Sequence, residues 1–290
     1  MSGIEAGDRA AAPRLAIVIV SFNTRRRLEA CLRALGDAAS VIPHEIVVID
    51  NGSTDGSPDA VAAGWPEAHL VRLGANTGFA HAANLGMRRS GGELVLLLNS
   101  DAVAPPGSID RLVAALDADE TAAVAGPRIV APDGTLELSF GRMISPWNEL
   151  RQKVIARAAS SRLPLAARWT ARRTAQPRYV DWVSGACLLA RRRDAEAVGL
   201  LDERFFLYTE DVDFCAALRA RGRRVLFTPA AEIVHARGSS RKTDPAAAQA
   251  AYRRSHLAFY AKHHPRWLPL LRAWLRVRGE LPRPDSAAPP

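Results

Sequence analysis

Four groups of polar residues stand where a chain of alternating strands and helices would gather them. Asp50 closes the apolar run Ile46-Val47-Val48-Ile49 and precedes Asn51-Gly52-Ser53-Thr54-Asp55-Gly56. A carboxylate at the C-terminal end of a strand points into the crevice beyond the sheet, where it can accept a hydrogen bond from a pyrimidine N–H or a ribose hydroxyl. The same residues also make good turns, and Asp55 suits a helix cap. Asn99-Ser100-Asp101 ends the most apolar run, Leu94–Leu98. Asp101 suits a hard divalent cation that neutralises a departing pyrophosphate, or an Asx turn ahead of Pro105-Pro106. Glu210, Asp211 and Asp213 crowd the segment 209–213. Attraction to a helix N-terminus, worth ~0.3–1 kcal/mol, explains one or two such carboxylates. A third exceeds what capping needs, and one of them can serve as general base on an acceptor hydroxyl. His235 follows Glu232-Ile233-Val234 at another strand end. It can complete a cation site there, or be one of the many histidines that bind nothing.

A fifth group, Asn76-Thr77-Gly78-Phe79-Ala80 with Asn84 and Gly86, opens a helix. Small residues and amides at a helix start let a ribose or phosphate approach the backbone N–H groups, although an ordinary N-cap has the same look. It is not GxGxxG, which counts against a dinucleotide-dependent dehydrogenase. Ser21-Phe22-Asn23-Thr24 follows the first strand where a nucleotidyltransferase would need a glycine-rich basic loop.

The elements that must position these residues alternate. Strands are predicted at 15–21, 45–50, 69–73, 93–99 and 122–130, and further on at 180–190, 224–227 and 232–235. Leu28, Cys31, Leu32 and Leu35 form the stripe of an amphipathic helix, and helices are also predicted over 79–89 and 108–116. Another starts at Thr209, turns Val212, Cys215, Ala216 and Leu218 inward, and stops near Gly222. Continuous apolar strands between helices predict an α/β chain with a parallel sheet covered on both faces. Residues 146–178 read as an irregular, Arg-rich helical insertion.

At 290 residues the chain can bury one large core or a core with a smaller lobe. No apolar run approaches the ~20 residues of a membrane span. The first residues lack a signal-peptide core, and Cys31, Cys187 and Cys215 show no ligand spacing. A cytoplasmic protein with three reduced core cysteines is the expectation. The net charge of +9 is spread widely and no nucleic-acid module is present, so nucleic acid is not an expected partner. From Tyr252 to Arg278 there are seven Lys and Arg, no Asp or Glu, and interleaved Trp267 and Trp274. This stretch suits either peripheral contact with an anionic membrane or a solvated basic helix packed on the body, the prolines at 265 and 269 interrupting any long helix.

Together these motifs resemble the inverting family 2 glycosyltransferases of the GT-A fold, and among them the bacterial rhamnosyltransferase-like enzymes. The matching residues are Val18–Asn23, Val48–Gly56, Asn76–Ala80 with Asn84 and Gly86, Leu98–Asp101, Val183–Ala186, Phe205–Asp213 and Val234-His235. Their order spans roughly residues 15–240. The resemblance implies a Rossmann-like, mixed but mainly parallel sheet flanked by helices, with a C-terminal helical extension. It divides the chain into a disordered 1–13, a GT-A domain over 14–240 (nucleotide-binding half about 14–130, acceptor and catalytic half about 131–240), a basic extension over 241–280 and a disordered 281–290. Ser21 and Asn23 would line the nucleotide pocket, Asp50 would contact the base, and Asn76, the Gly78 loop and Asn84 would sit by the nucleoside. Asn99, Ser100 and Asp101 would border the diphosphate, with Asp101 and His235 holding Mg²⁺ or Mn²⁺. Asp211 would be the catalytic base, Glu210 would orient it or the acceptor, and Trp182 and Gly185 would border the acceptor.

The implied donor is a dTDP- or UDP-sugar, dTDP-L-rhamnose first, and the implied acceptor a glycan, a lipid-linked glycan or a glycosylated natural product. The implied location is the cytoplasm or the inner face of the plasma membrane. Asn99 departs from the family pattern, where many relatives carry a carboxylate, so metal affinity would rest on Asp101 and His235. The membrane helices and Gln-rich Arg-Trp motif of the processive synthases are missing, which points to transfer of a single sugar. The alternative is a binding protein on the same scaffold without turnover.

Overall fold

The computed structural model describes residues 13–36, 40–149, 164–236 and 245–282. The predicted disordered ends therefore lie outside the described residues except for 13, 281 and 282, as does much of the 146–178 insertion.

Strands β1 (Leu15–Ser21) and β4 (Leu94–Asn99) run through the middle of the main sheet and are apolar on both faces. Leu15, Ile17, Ile19, Leu94, Leu96 and Leu98 pack against α1 (Arg25–Gly36) and α4 (Ser108–Asp117). Val18, Val95 and Leu97 face the opposite layer, formed by α3 (Phe79–Arg88), α6 (Arg192–Ala197) and α7 (Glu210–Ala220). Each such side chain, fully buried, stabilises by roughly 1.5–3 kcal/mol, which makes these strands the anchor of the sheet. β2 (His44–Asp50) and β3 (His69–Arg72) extend the sheet in parallel beyond β1, with α2 (Ser57–Gly64) between them in the chain.

On the other side of β4 the sheet is mixed. β11 (Cys187–Arg191) runs antiparallel to both β4 and β6 (Ala122–Val130), and β12 (Arg224–His235) runs parallel to β6. β5 (Ala102–Val103), β7 (Leu136–Glu137) and β9 (Arg178–Val180) add short antiparallel pairings. Reversing β11 between β4 and β6 leaves β1, β2, β3, β4, β6 and β12 all pointing the same way. Ser21, Asp50, Asn99 and His235 therefore end on one edge of the sheet. The N-terminal start of β11 reaches that same edge, Cys187 lying opposite Leu98.

Three expectations need correction. The strand predicted over 180–190 is broken: Val180 ends β9, and the rest forms two pieces, β10 (Trp182–Val183) and β11. Ser184-Gly185-Ala186 breaks it, and β10 pairs instead with β8 (Phe140–Gly141) in a separate two-stranded sheet. The two strands predicted at 224–227 and 232–235 are one, carried over the Pro229 region by a shift in register between Thr228 and Glu232. In α7 it is Phe214 that is fully buried, while Ala216 is half-buried, because the sheet lies nearer the Phe214 side.

The C-terminal chain forms α8 (Pro245–His263), a 3₁₀ turn (Pro265–Trp267) and α9 (Leu268–Val277), while α5 (Pro164–Arg173) precedes β9. Pro265 and Pro269 end one helix and start the next, as proline's missing N–H dictates. Among the described residues no helix is long and apolar enough to cross a membrane. Cys31, Cys187 and Cys215 are free and fully buried, and burial pushes the Cys31 and Cys215 thiols up to about 12. All three act as small core residues.

Candidate active site

Asp50 is buried, and only one of its carboxylate oxygens has a partner: Oδ2 accepts the Ser53 N–H at 3.1 Å, while Oδ1 has none. A buried carboxylate oxygen without a donor costs free energy, so the arrangement is poised for a ligand N–H or O–H. Asn23, with a left-handed φ of 52°, fixes the loop beside it: its Oδ1 accepts the Thr54 N–H at 2.8 Å and its own N–H bonds Ser53 Oγ at 2.9 Å. Ser21, fully buried, shares a hydroxyl chain with Thr24 (3.1 Å) and Ser100 (2.9 Å). Asp55 does the capping expected of it, on two helices: one oxygen accepts the Arg25 N–H of α1 and the other the Ser57 N–H of α2.

Asn51 joins this rim to the next loop. Its amide accepts the Thr77 N–H at 2.9 Å and donates to Asn76 Oδ1 at 3.0 Å and to the Gly78 carbonyl at 3.2 Å. Gly78 stands at φ 88° and ψ 162°, a region open essentially to glycine alone. A Cβ there would lie 2.7 Å from both the Phe206 ring and the Phe206 carbonyl. That carbonyl accepts the Phe79 N–H at 2.7 Å, so the helix start is pressed against the loop leading to Asp211. Asn84, 1 % exposed, faces inward rather than into the crevice: it bonds the Leu201 N–H and carbonyl and Glu203. Its amide is fully used in holding the 201–206 loop on α3.

At the end of β4, His235 Nε2 lies 3.0 Å from Asp101 Oδ1 and 3.5 Å from Asn99 Nδ2. Asp101 and His235 thus point a hard oxygen and an imidazole nitrogen at the same place, and both side chains are only 11 % exposed. Among the described residues no third His, Cys, Asp or Glu joins them. A divalent cation held there would take two protein donors and fill its remaining positions from a diphosphate or water, which suits Mg²⁺ or Mn²⁺. Arg27 stands beside the pair, its Nη1 3.5 Å from Asp101 Oδ2 and donating to the Ala236 carbonyl at 3.3 Å.

The third part is the start of α7. Tyr208 (φ 68°) and Thr209 (φ 66°) are consecutive left-handed residues, a conformation costing about 1–2 kcal/mol per residue without glycine. That strain turns the chain sharply into the helix. Asp211 Oδ2 accepts the Gly185 N–H at 2.8 Å and Oδ1 accepts the Val212 N–H at 2.8 Å. Burial pushes the Asp211 carboxyl up, against the lowering pull of these two amides. Glu210 is pushed up further, by burial first and by the neighbouring Asp211 charge second, and its Oε2 has no partner. Thr209 Oγ1 is likewise buried and unpartnered.

Two hydrogen bonds connect Asp211 to the segment that carries Asp101: its own bond from the Gly185 N–H, and one at Ala186. Gly185 adjoins Ala186, whose carbonyl accepts the Asn99 N–H at 3.0 Å. Trp182 is anchored differently, its Nε1 donating to the Arg142 carbonyl at 2.8 Å, on β10 two residues before Ser184. Asp213, the third carboxylate of the cluster, turns away from the crevice. It is 2 % exposed and bonds His263 Nε2 at 2.6 Å and Lys262 Nζ at 2.8 Å, clamping α8 to α7. Ser255 of α8 also donates to the Leu207 carbonyl at 2.8 Å. Sequence reasoning missed Thr24, Arg27 and Asn51 as parts of the site, and missed this clamp. Arg27 carried a local signal, a cation in the first turn of a helix whose start faces the crevice.

The family model described as glycosyl transferase family 2 matches residues 16–174. The N-acetylglucosaminyl-diphospho-decaprenol L-rhamnosyltransferase of Mycobacterium tuberculosis is 33 % identical over 278 residues, covering 92 % of this chain and 90 % of its own. A mannosyltransferase from Pyrobaculum calidifontis, solved with GDP-Man and Mn²⁺, superposes with a TM-score of 0.57 at 20 % identity, covering 91 % of this chain and 69 % of that one. GalNAc-T7, solved with UDP, GalNAc and Mn²⁺, gives 0.58 at 17 % identity, covering 77 % and 43 %.

Proposed function

Because the chain belongs to glycosyl transferase family 2, and is a glycosyltransferase of the GT-A fold, we propose that it moves one L-rhamnose from dTDP-L-rhamnose to a hydroxyl of a lipid-diphosphate-linked glycan, with inversion at the anomeric carbon. The observation that carries this reading is the joining of Asp211 to the Asp101–His235 pair through Gly185 and Ala186 at one edge of the sheet. A base and a diphosphate site on one crevice rim are what an in-line displacement needs. The related mycobacterial rhamnosyltransferase, similar over nearly its whole length, supports the sugar and the lipid-linked acceptor.

The residues divide the work. The unpartnered Asp50 Oδ1 accepts the imide N–H that thymine and uracil share, and Asn23 and Ser21 hold the loop and floor around the nucleoside. Asn76 and the Gly78 loop close the ribose side. Asp101 and His235 hold Mg²⁺ or Mn²⁺, and the cation supplies charge neutralisation for the departing diphosphate. Arg27 and Ser100 add a cation and a hydroxyl beside it. Asp211 takes the proton of the acceptor hydroxyl as that oxygen bonds the anomeric carbon and the bond to the diphosphate oxygen breaks. Its raised pKa makes it a stronger base near neutral pH than an ordinary aspartate. Glu210, whose carboxyl is pushed up by burial and by the Asp211 charge, can in its protonated form donate an O–H to a substrate oxygen and so orient the acceptor. Gly185 leaves the space next to Asp211 open, and Trp182 borders it.

A thermal-unfolding panel with dTDP, UDP and GDP, each with and without Mn²⁺ or Mg²⁺, tests the reading. A bound diphosphate at 100 times its Kd adds about 2.7 kcal/mol. Stabilisation by dTDP that needs the metal, and that Asp101→Asn removes, is the expected result. A preference for GDP, or no metal requirement, contradicts the donor and the cation site respectively.

A further inference from the structure

We propose that Phe206 is a positioning residue that fixes the catalytic helix α7 against the donor loop, so that the donor and acceptor subsites are set together. This role rests on the reading above, in which the Asn76–Gly78 loop holds the nucleoside and Asp211 is the base. Those two parts belong to elements far apart in the chain, and Phe206 is where they touch. A Cβ at Gly78 would stand 2.7 Å from Phe206 Cδ2, 2.7 Å from its carbonyl oxygen and 3.1 Å from its Cα. Ring and backbone of Phe206 therefore both lie against a glycine, and any side chain at 78 would part the two segments. The Phe206 carbonyl also accepts the Phe79 N–H at 2.7 Å, at the first residue of α3.

The chain on either side of Phe206 makes this contact stiff. Before it, Asn84 bonds the Leu201 N–H at 3.0 Å and the Leu201 carbonyl at 2.9 Å. Glu203 accepts from Asn84 and pairs with His81, each at 2.8 Å. Residues 201–206 thus ride on α3, the helix that the donor loop opens. After it, Ser255 Oγ holds the Leu207 carbonyl at 2.8 Å, and Tyr208 and Thr209 are both left-handed. Side chains leave that region small, so a shift at Phe206 passes on to Asp211 rather than being absorbed between them. Phe205 and Val212 bracket the segment from within, packed in one cluster with Phe259 and Tyr260. Asp211 is therefore located from two directions, by the Gly185 N–H from the cation side and by Phe206 from the nucleoside side. Coupling between two sites is reciprocal, so a nucleotide that orders the donor loop against Phe206 also holds the base more firmly.

The test is site-resolved amide hydrogen exchange at Gly185 and Val212, whose N–H groups bond the two carboxylate oxygens of Asp211. The probe is dTDP with Mg²⁺, with UDP and GDP run beside it. In the wild type dTDP should slow both amides by about tenfold, and in Phe206→Ala by less than about twofold. Phe206→Leu, which keeps a side chain against Gly78, should recover most of the effect. Phe206 is only half-buried, so both variants should fold, and dTDP should still raise the Tm of each. In turnover, Phe206→Ala should lower kcat by about tenfold while KM for the donor stays within about threefold of wild type. Equal slowing in wild type and Phe206→Ala overturns the proposal, as does a wild type that dTDP stabilises without slowing either amide. Loss of dTDP binding in Phe206→Ala alone assigns the ring to the wall of the nucleoside pocket and also overturns it. A wild-type Tm that responds to none of the three diphosphates is a different failure: it removes the donor-site reading itself, and this role with it.

Discussion

Replacing Gly185 by alanine separates catalysis from folding. A Cβ at this position would stand 3.3 Å from the Asp211 Cβ, 3.5 Å from its Oδ2 and 3.7 Å from its Cγ. The first distance is a few tenths of an ångström tighter than ordinary contact, so the Asp211 side chain must move back by that amount. Gly185 does not have a positive φ, so alanine adds no backbone strain and gains about 0.4–1 kcal/mol by restricting the unfolded chain. Mild overpacking costs about 1–3 kcal/mol, leaving a net loss of about 0–2.6 kcal/mol. At about 2–4 °C per kcal/mol for a chain of this size, Tm falls by no more than about 10 °C. Activity is more sensitive. A displacement of 1 Å at a reacting group can cost about a hundredfold, so a few tenths cost on the order of fivefold. A methyl group in the space assigned to the acceptor raises KM in addition. Release of nucleoside diphosphate, followed against concentration of the proposed lipid-diphosphate-linked acceptor, should show kcat/KM down by about tenfold or more. Wild-type kcat/KM in Gly185→Ala would refute the placement of the base. A Tm collapse large enough to explain lost activity would refute the packing argument.

Three further outcomes follow from the same geometry. Glu210 has its folded pKa raised, so its stabilising share is complete below the unfolded value and is lost as pH rises through the folded one. Glu210→Gln, permanently neutral, should therefore match wild-type Tm near pH 4 and gain on it as pH rises above the ordinary glutamate range; an advantage independent of pH would contradict the burial argument. Asp213→Ala leaves His263 and Lys262 without a buried partner, although Lys262 keeps Asp202 at 2.8 Å. Urea unfolding should show a loss of about 2–3 kcal/mol, and a loss under 0.5 kcal/mol would mean that α8 is not clamped through this residue. Asn84→Ala strands the Leu201 N–H and carbonyl in the core and should cost about 2–4 kcal/mol in the same assay, with dTDP affinity of the folded protein little changed; a selective loss of dTDP binding would return Asn84 to the nucleoside pocket.

The parallel first half of the sheet was legible because its signals are local. Apolar runs that end in Asp50 and Asn99-Ser100-Asp101 specify both a strand and the edge on which its last residues emerge, since β1, β2 and β4 are parallel and buried on both faces. Asp211 and Glu210 stood out because a helix N-terminus needs fewer carboxylates than this one has. The rest depends on contacts far apart in sequence. The reversal of β11 between β4 and β6 follows from the break at Ser184-Gly185-Ala186, and an apolar run does not reveal its direction. Asn84 looked like a ligand for the nucleoside because an amide in the first turns of a helix suits either role; its partners lie 117 residues on. Asp213 differs from Asp211 only by two helical positions, a rotation of about 200°, which turns one toward the crevice and the other toward His263. Arginine 27 was one of three consecutive arginines, and only the fold shows which of them reaches Asp101.

The assignment of Asp211 as the base is tested most directly by measuring dTDP binding and sugar transfer side by side in Asp211→Asn. The amide keeps the size of the side chain and can still accept the Gly185 N–H, while losing the ability to take a proton. Binding of dTDP with metal should remain within a few-fold of wild type, and kcat should fall by about 10²–10⁴. Turnover close to wild type in that variant, with donor binding intact, would contradict Asp211 as the group that removes the acceptor proton.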